Sequence, residues 1–284
     1  MKKLDTYEQY SEVLSTFKKD KERCSTNKLF TRDELTALIE AEKLYYDEIG
    51  GVLWFFVNEG YFYTANFFVP ANVPIQMRKQ DMDVVVELTG NGTRYNEQWE
   101  RELIVAGYEK GDKRLERVCQ LEDVVGFVQE SIKTWRRACG KQGLTHRKAV
   151  KADYPEIRRL LEDRIGKHRY TIVAMTDAEL DEMERFGRCN VICGPDGGIR
   201  AVNIYLKRNK TSYDYVAAAY DPGLGPWASA EGLVSAYQEG CVKTVAWMRE
   251  DNPAAIKMCK YTHRLTGKFY WQFICKAGAG NAMR

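Results

Sequence analysis

One short segment between a strand and a helix limits the fold of this chain more than any other feature. Asp221-Pro222-Gly223-Leu224-Gly225-Pro226-Trp227 follows a strand predicted over 213–220 and precedes a helix predicted to begin at Ala228-Ser229. Glycines let the backbone approach a ligand closely, and the helix directs unpaired N–H groups and its positive end at the turn. The segment indicates either an anion site, typical of phosphate binding, or a plain turn in which glycine and proline only satisfy backbone geometry.

The elements around this segment follow a regular order. A strand at 147–150 and predicted helices at 154–163 and 177–186 precede three strands, at 190–193, 199–207 and 213–220, whose short connections predict antiparallel pairing. After the glycine segment come a helix at 228–240, a strand at 242–248, a helix opened by Asp251-Asn252-Pro253 and a last strand at 269–275. This order predicts an α/β fold (α+β mixed sheet).

The first half also mixes helices with strands. Helices are predicted at 5–22, 31–46, 96–106 and 122–139, the second opened by the capping-box pattern Thr31-Arg32-Asp33-Glu34, and strands at 52–58, 61–69, 84–88 and 115–120. Gly140-Lys141-Gln142-Gly143 is the most plausible junction, so the predicted domains are 1–140 and 141–284.

Composition narrows the classes of function. Residues 1–140 carry a net charge of −4 and residues 141–284 one of +7, which favours an anionic ligand in the second half but is too mild for nucleic acid. No apolar run is long enough to cross a membrane, and the charged start lacks a secretory signal, so we expect a cytoplasmic protein. The eight cysteines are scattered without metal-ligand spacing, which predicts free, mostly buried thiols and no metal.

Two short motifs add to the element order. Asn252-Pro253-Ala254-Ala255 is similar to the Asn-x-x-Ala helix start of the GNAT N-acyltransferases, and Gly267 and Phe269 resemble the closing Gly-Phe of that family. Together with the order of elements over 146–275, these residues make the second half resemble a GNAT domain. Asn96, Trp99, Leu103, Gly107 and Tyr108 repeat the spacing in the first half. The resemblance therefore implies two GNAT-like lobes in tandem.

The N-terminal lobe is expected to be degenerate. Only 14 residues, two of them prolines, separate the predicted strand ending at Val69 from the one starting at Val84. That interval leaves no room for a phosphate-binding helix. The resemblance therefore implies that the C-terminal lobe binds acetyl-CoA or another acyl-CoA as co-substrate.

The resemblance also implies which residues hold the co-substrate. The pyrophosphate would lie at the glycine turn and helix start, and the pantetheine arm would lie along the small residues of the preceding strand, which close packing against a helix explains equally well. These positions are Val216, Ala217, Ala218, Gly223, Leu224, Gly225, Trp227, Ala228, Ser229 and Asn252. The chain departs from the family in having no Arg or Gln between Asp221 and Trp227.

The family protonates the leaving thiolate with a tyrosine seven residues beyond the asparagine. Here that position is Cys259, and Tyr261 follows two residues later, so both are candidates for the general acid; the alternative is that Cys259 is core and Tyr261 is surface. A nucleophilic Cys259 paired with His263 is the less favoured reading. The candidates for the general base, Glu231, Asp214 and Glu184, cannot be distinguished. The aromatic residues over 54–68 line an acceptor pocket or, as the alternation favours, fill a sheet core.

The sequence thus predicts an N-acyltransferase that moves an acyl group, by default acetyl, from acyl-CoA to an amine. The acceptor is a small molecule, an amino acid or a peptide, and the amine attacks directly in a ternary complex. The alternatives are a non-catalytic GNAT-fold ligand-binding or regulatory protein, a FemAB-like aminoacyl transferase, and a structural module without a ligand. Membrane and nucleic-acid partners are not expected.

Overall fold

The computed structural model describes residues 1–19, 21, 23–166, 170, 177–221 and 223–278. Its strands are β1 Lys2–Lys3, β2 Cys24–Thr26, β3 Leu44–Ile49, β4 Val52–Asn58, β5 Phe62–Pro70, β6 Asp83–Asn91, β7 Glu109–Gln120, β8 Thr145–Lys148, β9 Cys189–Cys193, β10 Ile199–Arg208, β11 Thr211–Ala219, β12 Lys243–Arg249 and β13 Arg264–Cys275. Its helices are α1 Tyr7–Lys18, α2 Arg32–Glu40, α3 Glu97–Val105, α4 Leu121–Gly140, α5 Tyr154–Ile165, α6 Asp177–Arg185, α7 Leu224–Gln238 and α8 Pro253–Cys259.

The chain forms two compact units. Unit 1 comprises residues 1–113 and 268–284, and unit 2 comprises residues 114–267. The predicted boundary after residue 140 falls inside unit 2, between α4 and β8. The prediction places the boundary between two lobes of similar fold, whereas the two units are defined by residue contacts. The boundary after residue 140 stays a prediction.

Unit 1 is built on a mixed sheet with the strand order β1-β3-β4-β5-β6-β13 and with β2 paired to β5. Its strands pair antiparallel except for β5 and β6, which run parallel from Phe62–Asp83 to Ala65–Val86. The predicted capping box at Thr31 and Glu34 is present. The predicted continuation of that helix to residue 46 is wrong, because Gly50 and Gly51, both with positive φ, turn β3 back onto β4 in a hairpin.

The aromatic residues of β4 and β5 fill the core of unit 1 on both faces of the sheet. Trp54, Phe56 and Phe67 lie in one cluster with α3, and Phe55 and Phe68 lie in another with α1 and α2. All five side chains are buried. The core interpretation of this aromatic run is therefore confirmed.

Unit 2 is built on a sheet with the strand order β7-β12-β11-β10-β9-β8. The antiparallel series β9, β10 and β11 is present as predicted, and β11 runs parallel to β12. Helices α5 and α6 pack on one face, against Val202, Ile204 and Val216. Helices α4 and α7 pack on the other face, against Ile192 and Ala201.

The chain passes from unit 1 to unit 2 within β7 and returns to unit 1 within β13. Residues 268–275 of β13 pair with β6 and complete unit 1. Residues 114–120 of β7 pair with β12 and complete unit 2. Unit 2 is therefore an insertion between the first 113 residues of unit 1 and the strand that closes it.

Candidate functional site

Two parallel strands of unit 2 pair over only part of their length. Strands β11 and β12 are in register from Thr211–Lys243 to Asp214–Ala246. Beyond Asp214, β11 runs on to Ala219 beside β10, and β12 runs on to Arg249 beside β7, with no further pairing between them in the described register. The sheet therefore opens into a wedge, and one edge of β11 is available there to a ligand.

A bulge in β11 marks the point of the wedge. Asp214 pairs with Tyr205, but the next pair joins Val216 to Ile204, so Tyr215 is an additional residue in β11. A bulge of this kind bends the strand and increases its twist. It therefore explains why β11 leaves β12 directly after Asp214.

A cavity of about 780 Å³ lies over the wedge, and all the residues that line it belong to unit 2. Its wall consists of Ala217, Ala218 and Ala219 from β11 and residues from β10, β12, α4, α7, α8 and the segment after α8. Val216 does not line this cavity, and it packs with Ala218 against the α5 cluster. The small residues of β11 thus agree with both interpretations: Ala217 and Ala219 line this cavity, while Val216 packs in the core cluster and also lines a second cavity described below.

The helix after the glycine turn begins four residues earlier than predicted, at Leu224. Pro226 lies in the first turn, where its missing N–H breaks no helical hydrogen bond. The Leu224 N–H donates to the Asp221 carbonyl, so the amides left for a ligand are those of Gly223 and Gly225 rather than of Trp227, Ala228 and Ser229. No acidic side chain lies in this first turn.

The other predicted positions of α7 divide between cavity and core. Gly223, Gly225 and Ser229 line the cavity, whereas Leu224, Trp227 and Ala228 are buried beneath the helix. The Trp227 ring is fully buried, and its Nε1 donates to Glu231 Oε1 at 2.9 Å. These buried residues fix the position of the helix start.

Both candidate general acids lie in the cavity wall. Helix α8 is capped by Asn252, whose Oδ1 accepts from the Ala255 N–H at 3.1 Å, and it ends at Cys259. Two residues apart on a helix, the two side chains would point about 200° apart. Tyr261 lies beyond the helix end, however, and both side chains line the cavity. Cys259 is buried, which raises the pKa of its thiol, whereas Tyr261 is 75% exposed.

Four residues apart on one helix, Cys259 and His263 would share a face, but His263 lies beyond the end of α8. The ring of His263 is buried, and its Nδ1 lies 2.8 Å from Thr262 Oγ1. Burial, assisted by the charge of Arg117, lowers the pKa of His263 to about 4. The imidazole is therefore neutral at physiological pH.

The structure separates the three candidate bases that the sequence could not distinguish. Glu231 is buried away from the cavity wall, where Arg136 binds it through two hydrogen bonds of 3.1 and 2.9 Å. Glu184 accepts a hydrogen bond from the Tyr154 hydroxyl at 2.8 Å. Asp214 alone of the three lines the cavity.

Asp214 lies at the point of the wedge, beside the parallel pairing. Burial raises the pKa of its carboxyl to about 6, although the Asn203 amide, which donates to Asp214 Oδ1 at 2.8 Å, opposes this rise. A carboxylate with a pKa near neutrality can accept a proton from a reacting group and release it again. Its location follows from the pairing of β11, which no local sequence signal indicated.

A second cavity, of about 530 Å³, shares Asp214, Asn252 and the alanines of β11 with the first. It also includes Arg114, Arg164 and Arg249. Arg249 forms an ion pair with Asp251 at 2.6 Å. Both cavities therefore meet at the wedge, and the second carries the basic side chains.

The corresponding wedge of unit 1 is filled by the protein itself. Strands β5 and β6 part after Ala65, and β2 pairs with the outer part of β5. The buried Asn27 bonds to both strands: its Nδ2 donates to the carbonyls of Ala65 at 3.4 Å and Glu87 at 3.2 Å, and its Oδ1 accepts from the Phe67 N–H at 2.8 Å. Unit 1 therefore offers no open strand edge at this position.

All eight cysteines are free, and six of them are buried, as predicted. Within the described ranges, no group of three or more His, Cys, Asp or Glu side chains is placed to hold a metal ion. No helix in the described part of the chain combines the length and the apolar character needed to cross a membrane.

Comparison with known proteins gives similarity in structure alone. No family model and no curated protein sequence matches the chain. A GCN5-related N-acetyltransferase from Sphaerobacter thermophilus has a TM-score of 0.54 at 11% identity, covering 82% of this chain and 78% of its own. A tandem GNAT protein from the clavulanic acid biosynthesis pathway has a TM-score of 0.51 at 10% identity, covering 91% of this chain and 100% of its own.

A third solved structure agrees with these two. A GCN5-related N-acetyltransferase from Kribbella flavida has a TM-score of 0.50 at 14% identity and covers 87% of this chain and 94% of its own. The predicted fold class, an α/β protein with a mixed sheet, is thereby confirmed. The chain has the fold of the GCN5-related N-acetyltransferases, as its motifs and element order predicted.

Proposed function

We propose that the protein is an N-acyltransferase that moves an acyl group, by default acetyl, from acyl-CoA to an amine. The proposal rests on one observation. Strands β11 and β12 separate beneath a cavity, and the first turn of α7 lines the same cavity. An extended pantetheine arm can bond to the free edge of β11, as an added strand would. The pyrophosphate would then lie at the Gly223 and Gly225 amides.

The residues present fit such a co-substrate, with one difference from the family pattern. Ala217 and Ala219 leave room beside the strand, and the first turn of α7 carries no acidic side chain to repel phosphate. Pro226 removes one N–H donor, and no Arg or Gln lies in the turn. Binding of the pyrophosphate would therefore depend on the Gly223 and Gly225 amides and on the helix dipole. Lys257 of α8 lines the same cavity and adds a positive charge.

The reaction follows from the groups at the wedge. Asp214 takes a proton from the acceptor amine, which then attacks the thioester carbonyl in a ternary complex. Backbone N–H groups of the β11 edge would polarise that carbonyl. Cys259 or Tyr261 returns a proton to the departing thiolate, and the raised pKa keeps the Cys259 thiol protonated. A cytoplasmic location is part of this proposal.

The experiment is a calorimetric titration with CoA and acetyl-CoA of the wild type, Gly225→Glu and Gly126→Glu. The glutamate at residue 225 brings a negative charge to the phosphate position, and its Cβ meets nothing nearer than Ala219 Cβ at 3.9 Å. Gly126 lies in α4 with nothing within 4 Å of a Cβ, so Gly126→Glu controls for the added charge.

We expect saturable binding of both ligands, unchanged in Gly126→Glu and at least tenfold weaker in Gly225→Glu, a loss of about 1.4 kcal/mol. A wild-type protein that binds neither ligand at millimolar concentration would contradict the proposal. It would favour instead the non-catalytic or structural alternative.

A further inference from the structure

The cavity continues past the wedge into a polar inner end. We call this end the inner chamber; it is lined by Asn203, Ser212, Asp214, Thr244, Cys259 and His263. The Ser212 and Thr244 hydroxyls lie 2.5 Å apart and bond to each other. The other polar side chains are therefore the ones that a ligand would meet.

Two buried atoms of the chamber have no partner within the described residues. They are Asn203 Oδ1, on a side chain 2% exposed, and His263 Nε2, on a side chain 7% exposed. A buried polar atom left without a hydrogen bond costs about 1–3 kcal/mol, so two of them in the wall of one cavity indicate a site built for a polar ligand.

Helix α7 is shaped around the Asn203 amide. A Cβ at Gly232 would lie 1.9 Å from Asn203 Oδ1, so only glycine leaves room for the amide against the helix. On its other side the amide donates to Asp214 Oδ1. Asn203 is thus fixed between helix and carboxylate, and its oxygen has no hydrogen-bond donor among the described residues.

The charged residues of the cavity wall indicate the charge of the ligand that the inner chamber would bind. Among its described residues only Asp214 and Lys257 carry a charge, since His263 is neutral above its lowered pKa of about 4. Lys257 lies exposed on α8, whereas Asp214 belongs to the inner chamber. A carboxylate or phosphate in the chamber would lose its water beside Asp214 without gaining a cation.

We propose that the inner chamber binds the acyl acceptor, and that the acceptor is a small aliphatic ammonium without a carboxylate. Its N–H groups donate to the Asp214 carboxylate and to Asn203 Oδ1. This inference rests on the function proposed above and adds the class of acceptor. Asn203 acts as a positioning residue, because it orients both the amine and the Asp214 carboxyl.

The proposed step balances in atoms and charge. One ammonium proton passes to Asp214, and the amine nitrogen forms a bond to the thioester carbon as the carbon–sulfur bond breaks. The thiolate gains a proton from Cys259 or Tyr261, and the second proton that the nitrogen loses restores this acid. The products are an amide, free CoA thiol and one proton, which Asp214 releases to water.

The competing assignment uses the second cavity. Its lining residues Arg114, Arg164 and Arg249 would favour an acceptor that carries a carboxylate. The pair 1,5-diaminopentane and L-lysine separates the two assignments, because these molecules differ only in the carboxylate.

The test measures calorimetric binding of each amine without CoA, and then steady-state transfer from acetyl-CoA. We expect 1,5-diaminopentane to bind and to have a kcat/KM at least tenfold above that of L-lysine. Equal or better use of L-lysine would overturn the inference and leave the transferase standing. Diamine binding without any transfer would support the chamber and contradict the proposed function, while failure of 1,5-diaminopentane both to bind and to react would overturn the inference.

Two variants test the chamber itself. Asn203→Leu removes the acceptor, and Gly232→Ala displaces the amide without removing it; Gly126→Ala in α4 is the matched glycine control. In both chamber variants the KM for diamine should rise at least tenfold, with the KM for acetyl-CoA within twofold of wild type.

Asn203→Leu should also move the rising limb of the pH profile of kcat/KM to higher pH, because Asp214 loses the hydrogen bond that lowers its pKa. Variants that leave the diamine KM unchanged would overturn the assignment. If Asn203→Leu does not fold, Gly232→Ala carries the test.

Discussion

The hydrogen bonds of Asn27 in the wedge of unit 1 predict how far a substitution there lowers the free energy of unfolding. Asn27 is buried and makes three hydrogen bonds, at 2.8, 3.2 and 3.4 Å, to backbone groups of β5 and β6. Asn27→Ala leaves the Phe67 N–H and the Glu87 carbonyl without these partners, at about 1–3 kcal/mol for each group. We therefore expect the free energy of unfolding to fall by about 2–6 kcal/mol.

The assay is urea unfolding followed by tryptophan fluorescence, with Trp54 buried in the core of the same unit. Asn27→Asp separates hydrogen bonding from side-chain volume. It keeps the size and the acceptor for Phe67, but it loses both donors and sets a carboxylate beside two carbonyl oxygens. It should be at least as destabilising as Asn27→Ala. Asn58→Ala, which removes one exposed turn hydrogen bond, should cost less than about 1 kcal/mol.

An Asn27→Asp variant as stable as the wild type would refute this reasoning. It would show that Asn27 acts only by filling space. A loss below about 0.5 kcal/mol in Asn27→Ala would refute it as well, because it would show that the exposed backbone groups find other partners.

Three further predictions concern unit 2 and the number of sites. The rate of transfer should rise with pH through about 6 and then level, because the Asp214 carboxyl must be ionised to accept a proton. Burial raises the pKa of the nearby Cys259 thiol and lowers the pKa of His263 to about 4, so the rising limb belongs to Asp214, and an Asp214→Asn variant that keeps this limb would contradict the prediction. If Cys259 is the general acid, Cys259→Ala should lower kcat about 100-fold and Tyr261→Phe should leave it within threefold, whereas the reverse would assign the role to Tyr261. Calorimetry should give one acetyl-CoA per chain, because Asn27 and β2 fill the wedge of unit 1, and a stoichiometry of two would contradict that reading.

Features that rest on local chemistry were predictable from the sequence. The Thr31–Glu34 capping box, the Asn252 cap and the glycine turn are set by residues within a few positions of each other, and all three are present. The start of α7 lies four residues before the predicted Ala228-Ser229, because a proline such as Pro226 is tolerated in the first turn of a helix.

Features that rest on pairing between distant segments were not predictable. The wedge depends on where β11 stops pairing with β12. Asp214 lines the cavity because it is the last β11 residue of that pairing, whereas Glu231 lies buried in α7. Glu231 meets Arg136, 95 residues away, and Asn27 reaches Glu87 across 60 residues. Neither contact can be predicted from the local sequence, because the partner of a buried carboxylate or amide can lie anywhere along the chain.

The insertion of unit 2 ahead of the strand that closes unit 1 sets the order in which the protein can form during its synthesis. Unit 1 lacks its β13 segment until residues 268–275 have left the ribosome, after all 154 residues of unit 2. At roughly 5–20 residues per second, the edge of β6 stays unpaired for about 10–30 s. During that time it is open to pairing with another nascent chain, whereas unit 2 already has every strand that it needs.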